Sequence, residues 1–166
     1  MKSNDNSRYA QPTVFTHELP NGLRIIHQPF PSEISYCGIV INTGSRDEFP
    51  DEHGMAHFVE HLLFKGTKKR KAHHVINRME NVGGELNAYT TKEETFIYTT
   101  FLSEYFERAM ELLSDIVFHS TFPENQILKE RDVILDEINS YIDSPSELIF
   151  DDFENFLFPN HEIGHY

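Results

Sequence analysis

Apolar positions in this chain fall into two distinct periods. From Met55 the residues Met55, Phe58, Val59, Leu62 and Leu63, with Phe64 at the end, repeat on a helical period and predict a helix over about 53–64. Pro50-Asp51-Glu52 and Gly54 form a polar, turn-like entry, with Asp51 or the residues just after it as the cap, and Lys65-Gly66 supplies the stop. A second stripe, Ile127, Ile134, Leu135, Ile138 and Tyr141, predicts a helix over 124–142 behind Pro123. Further helices are predicted near 72–82, 103–118 and 146–157, the last opened by Pro145. Period-two runs lie elsewhere. Phe96, Tyr98 and Thr100 alternate with Ile97, Thr99 and Phe101 in a strand over 94–101, and another strand, 85–90, follows the helix-ending pair Gly83-Gly84. Strands are also predicted at 13–18, 23–29 and 35–42, with Asn21-Gly22 as a hairpin turn between the first two. Strands grouped with helices, without strict alternation, predict an α+β fold: an antiparallel sheet with helices packed on it.

The chemistry sits on the first of those helices. His57-Phe58-Val59-Glu60-His61 places two imidazoles about 40° apart around the axis, one turn apart, with Glu60 beside them. Two such rings can grip one metal ion, and a neighbouring carboxylate can take a proton from water that the metal acidifies. The order H-x-x-E-H inverts the commoner H-E-x-x-H zinc motif. With 10 histidines in 166 residues, the pentapeptide alone is weak evidence, and a third ligand is needed. Cys37 lies in an apolar strand and reads as a buried thiol. Glu130 and Glu137, seven residues apart on the 124–142 helix, project along nearly one line and are both candidates; Asp132 and Asp136 point elsewhere and read as solvated charges.

Composition narrows the partners. With 14 basic against 27 acidic residues, the formal charge of −13 argues against nucleic acid or an anionic membrane as partner. Lys68-Lys69-Arg70-Lys71 is the one basic run and reads as a solvated linker between helices. A single cysteine excludes an internal disulfide, and no apolar stretch approaches the ~20 residues of a membrane span. The opening MKSNDNSRYAQ has no apolar core of the signal-peptide kind, so a cytoplasmic or organellar-matrix setting is expected. Residues 1–12 are expected to be a flexible segment, and 13–166 one domain.

HFVEH followed by LLFKGT, then GGELNAYTTKEET, then KERDVILDEI, resembles the amino-terminal part of the pitrilysin/insulinase family of zinc peptidases, which includes the mitochondrial processing peptidase and its bacterial relatives. The resemblance runs from about Leu19-Pro20-Asn21-Gly22-Leu23 onward, with its motifs in order. It implies an α/β roll holding Zn2+ through His57, His61 and Glu137, the family's spacing selecting Glu137 over Glu130. It further implies Glu60 as general base, Glu130 as a second glutamate that supports catalysis without binding the metal, and Asn87 and Ala88 as substrate contacts on an edge strand. The implied function is a zinc metalloendopeptidase acting on peptides or unfolded proteins. Family members continue well beyond this length, commonly with a second similar domain, so the chain is expected to be a fragment whose sheet edge pairs with another domain or another copy. Two non-enzyme readings accompany this one: a binding or scaffold subunit of the same fold, or a fragment inactive without its carboxy-terminal half. A ribosylhomocysteine-type lyase would need a downstream cysteine ligand, and Cys37 lies upstream. A two-His-one-carboxylate iron oxygenase shares the ligand types alone.

Overall fold

Strand formation begins where β-branched and aromatic residues alternate with polar ones, and the computed structural model, which describes residues 13–165, follows that pattern closely. Residues 13–33 and 34–165 belong to separate compact units. The first is a hairpin of β1 (Phe15–Glu18) and β2 (Arg24–His27), antiparallel with Phe15 opposite His27 and Glu18 opposite Arg24. Its turn is tied by the Gly22 N–H to the Leu19 carbonyl at 2.9 Å, and Asn21 Oδ1 accepts from the Leu23 N–H at 3.2 Å. The Asn-Gly turn is therefore where the sequence places it. The expected flexible segment 1–12 lies outside the described residues.

The second unit is built on a three-stranded antiparallel sheet of β3 (Ile34–Ile41), β4 (Glu85–Thr90) and β5 (Thr95–Leu102), in the order β3-β5-β4. β5 is central and sends Thr95, Ile97, Thr99 and Phe101 to the buried face. There α2 (Ala72–Glu80) and α3 (Phe106–His119) cover it, and Val75, Met79, Ala109, Leu112, Leu113 and Ile116 complete the core. Each large side chain buried there contributes ~1.5–3 kcal/mol relative to exposure. Thr99 is fully buried, and its hydroxyl is satisfied by donating to the Glu85 carbonyl at 2.6 Å. After α2 the chain must reverse into β4. Gly83 does this at φ 74°, and the Gly84 N–H returns to the Met79 carbonyl at 3.0 Å.

Three more helices finish the unit. α1 (Met55–Leu63) packs its far end into the core through Leu62 and Leu63, and borders both β4 and α4 (Glu124–Ile142). α5 (Pro145–Leu157) turns back against α4. Short 3-10 turns at Ser45–Asp47, Ser103–Tyr105 and Glu162–Gly164 were not foreseen. Such turns lack any hydrophobic period.

Two local expectations are refined. The α1 cap falls not on Asp51 but on Gly54, three residues after it, at φ 88°, and the carboxylate of Glu48 reaches the helix start. The basic run is not wholly solvated either. Arg70 is largely enclosed, donating to Asp115 at 2.5 Å and to both oxygens of Glu111 at 2.6 and 2.9 Å. Thr67 adds a hydroxyl bond to Asp115 at 2.7 Å. A charge run betrays no partner that lies on a distant helix.

Candidate metal centre

Helix α1 brings His57 and His61 together because they lie four residues apart. Their rings meet edge to face, centroids 4.7 Å apart at 86°, with the two Nε2 atoms separated by 3.1 Å. Helix α4 crosses beside them and delivers Glu137, whose Oε2 lies 3.7 Å from His57 Nε2 and 3.4 Å from His61 Nε2. These donors form the one cluster of His, Cys, Asp and Glu with metal-holding geometry among the described residues.

The triangle can be tested against zinc. Ligand atoms about 2.0–2.1 Å from a tetrahedral ion lie roughly 3.3–3.4 Å from one another. The three edges here, 3.1, 3.4 and 3.7 Å, bracket that value. The donor chemistry fits as well: two imidazoles and a carboxylate, with His57 and Glu137 each nearly half exposed on the side left open.

Glu130 faces the same helix one level down. Its carboxylate is mostly buried, with Oε2 3.3 Å from His61 Nδ1 and Oε1 2.7 Å from Lys65 Nζ. Burial raises its pKa, but the hydrogen bonds from Lys65 and His61 and the charge of Lys65 outweigh that, and the carboxyl is held below its ordinary range. An ionised Glu130 can only accept, so His61 carries its proton on Nδ1 and turns the lone pair of Nε2 toward Glu137. Glu130 and Glu137 thus occupy different sites, although helical spacing alone set them in one line. In the sequence Lys65 reads only as part of a helix stop. Its place four residues after His61 on α1 was the available signal.

Glu60 is half buried beside His61, and its carboxylate makes no hydrogen bond or ion pair among the described residues. Asp136 is exposed, and Asp132 pairs with its neighbour Arg131 at 3.0 Å; neither joins the cluster.

Asn87 and Ala88 lie on β4, which borders α1 and pairs with β5 alone among the described strands. At the turn, the Thr91 N–H donates to the Glu94 carbonyl at 2.8 Å. Alternation back from that pair aims the N–H groups of Tyr89, Asn87 and Glu85 at β5, and those of Ala88 and Leu86 at the open edge. The Ala88 N–H is met by the side chain of Asn87, whose Oδ1 accepts it at 2.9 Å.

The inverted H-x-x-E-H order carried by α1 is the motif of the inverzincin class. Sequence comparison agrees: the profile of the insulinase family, peptidase family M16, matches residues 24–165. The chain belongs to that family. It is 39% identical over 146 residues to the uncharacterised zinc protease YmxG of Bacillus subtilis, which covers 87% of this chain and 36% of the relative. Among solved structures, a protease from Helicobacter pylori superposes with a TM-score of 0.87 at 27% identity, covering 92% of this chain and 37% of that one. A peptidase M16 inactive domain from Pseudomonas fluorescens superposes with a TM-score of 0.82 at 16% identity, over 93% of this chain and 38% of that one. The last likeness concerns the fold alone. The chain spans little more than a third of the B. subtilis relative.

Proposed function

We propose that this chain carries the zinc-binding half-site of a metalloendopeptidase, with His57, His61 and Glu137 holding the metal. The observation behind this reading is the near-equilateral triangle of Nε2, Nε2 and Oε2 described above. Zinc bound there would supply Lewis acidity, polarising a peptide carbonyl and acidifying water. Glu60, free of other partners, accepts a proton at its carboxylate and returns it to the departing amine. Glu130 holds the proton on His61 Nδ1, and Lys65 balances its charge. The open edge of β4 lines up an extended peptide through main-chain hydrogen bonds, with Asn87 yielding the Ala88 N–H to the incoming carbonyl. Main-chain pairing of this kind tolerates many sequences, so the substrate is a peptide or unfolded segment. A second family domain completes the substrate-binding surface in the longer protein. A non-catalytic subunit of the same fold is the competing reading, and the complete donor set with a free Glu60 argues against it.

The test is metal content and peptide cleavage in the full-length protein. One zinc per site and hydrolysis lost on chelation support the proposal. Zinc bound without cleavage of any peptide in a diverse library would leave a binding subunit. No zinc bound would end the reading.

A further inference from the structure

We propose that Glu48 is a positioning residue for this centre, fixing the first turn of α1, and through it His57, to the turn end of the β4–β5 hairpin. The inference rests on the zinc-site reading above. Helix α1 starts without a capping side chain at its own N-cap, because Gly54 stands there. The first N–H groups of a helix need partners from outside it. Glu48 supplies them from upstream: Oε2 accepts from the Gly54 N–H at 2.8 Å, and Oε1 from the Ala56 N–H at 2.6 Å. Its side chain is only 6% exposed, and a carboxylate is the charge a helix N-terminus favours.

Glu48 is itself anchored. The 3-10 turn before it hydrogen-bonds to the hairpin end, Ser45 N–H to the Thr91 carbonyl at 3.1 Å and Arg46 N–H to the Lys92 carbonyl at 3.0 Å. Asp47 Oδ2 accepts from the Gly44 N–H at 2.9 Å. Gly44 lies so close that an added Cβ would stand 2.3 Å from the Thr91 oxygen. Arg46 also pairs with Glu93 across the same contact. The strand that carries Asn87 and Ala88 runs directly into this turn. One carboxylate therefore joins the strand to the helix turn that precedes the first imidazole. The far end of α1 is held independently by Leu62 and Leu63 in the core, so loss of Glu48 would loosen His57 before His61.

The experiment compares Glu48→Gln and Glu48→Asp with Glu52→Gln in the full-length protein. Glu52 removes the same charge from the same loop, and its side chain has no partner among the described residues. Amide exchange is read in the first turn of α1 against α3, and zinc affinity by competition with a chromophoric chelator. Glu48→Gln should speed exchange at the start of α1 and weaken zinc binding, each about tenfold, with α3 and the Glu52 variant unchanged. Should Glu48→Gln fail to fold, Glu48→Asp carries the test, since it keeps the charge but is too short to span both N–H groups. Faster exchange with wild-type zinc affinity would make Glu48 a mere cap and overturn the proposal, as would unchanged exchange. If wild type and His57→Ala alike take up no zinc, the metal reading has failed, and exchange alone then decides whether Glu48 anchors α1.

Discussion

Two clusters of ionisable side chains in this protein use similar ingredients to opposite ends. Around Asp115, a buried carboxylate meets Arg70 and Thr67, both donors, and Glu111 meets the other side of the same guanidinium. Around His57 and His61, the groups that converge are acceptors: two imidazole nitrogens and the Glu137 carboxylate. The first cluster is balanced within the fold, because Lys69 and Arg78 also reach Glu111 at 3.8 and 3.7 Å. The second, in the reading proposed above, takes its balance from a bound cation. Sign and donor count, rather than the presence of charged residues, separate a structural network from a ligand site.

The comparison can be broken at either cluster. The largest effect is expected from Glu60→Gln, which should reduce peptide hydrolysis by about 10²–10⁴-fold while zinc content stays at the wild-type level. Retained turnover would remove Glu60 from its role. Glu137→Gln should cut zinc affinity by at least the ~10–100-fold typical of weaker outer-shell changes, read by metal content after dialysis, whereas Asp136→Asn should leave it unaltered. In the structural cluster, Asp115→Ala leaves Arg70 partly buried without its closest partner and should cost ~3 kcal/mol in denaturant unfolding, with metal binding preserved. The smallest effect belongs to the α4–α5 corner. There Tyr141 donates to Asp151 at 2.5 Å, and Tyr141→Phe should cost ~1 kcal/mol.

Acid titration sharpens the contrast. Burial raises the Asp115 pKa, but hydrogen bonds from Thr67 and Arg70, with the charges of Arg70 and Lys69, hold it below its ordinary value. A carboxyl whose native pKa is depressed stabilises the fold fully above its unfolded value of about 3.9, and that contribution vanishes as pH falls through the lower native value. Thermal unfolding followed from pH 6 downward should therefore show the wild type losing its advantage over Asp115→Asn below about pH 4. An unchanged difference across that range would deny Asp115 its ionic role.

Periodicity carried the sequence reading wherever a face was buried. The α1 stripe ending in Leu62 and Leu63, and the alternation of β5, marked their elements because packing against one core enforces one period. The five α-helices and five strands of the described residues fall close to their expected spans. The H-x-x-E-H turn was equally legible, since its geometry is local. Partnerships across the chain were not. Helical spacing could not say which of Glu130 and Glu137 reaches the two Nε2 atoms, because both project along one line and the height of α4 against α1 decides. Arg70 looked solvated in a run of four basic residues, and its partners arrive only with α3. Glu48 had no signature at all, for a cap reaching six and eight residues forward obeys no short motif.

The Asn87 side chain bears on colloidal behaviour as well as on recognition. A bare strand margin is a template for stacking one molecule on the next, the route by which sheets grow into fibres. With the Ala88 donor already occupied from within, any newcomer must displace an existing bond, whose net worth is ~1 kcal/mol. That toll is slight for a guest gripped elsewhere, but it recurs with every added layer of a growing aggregate.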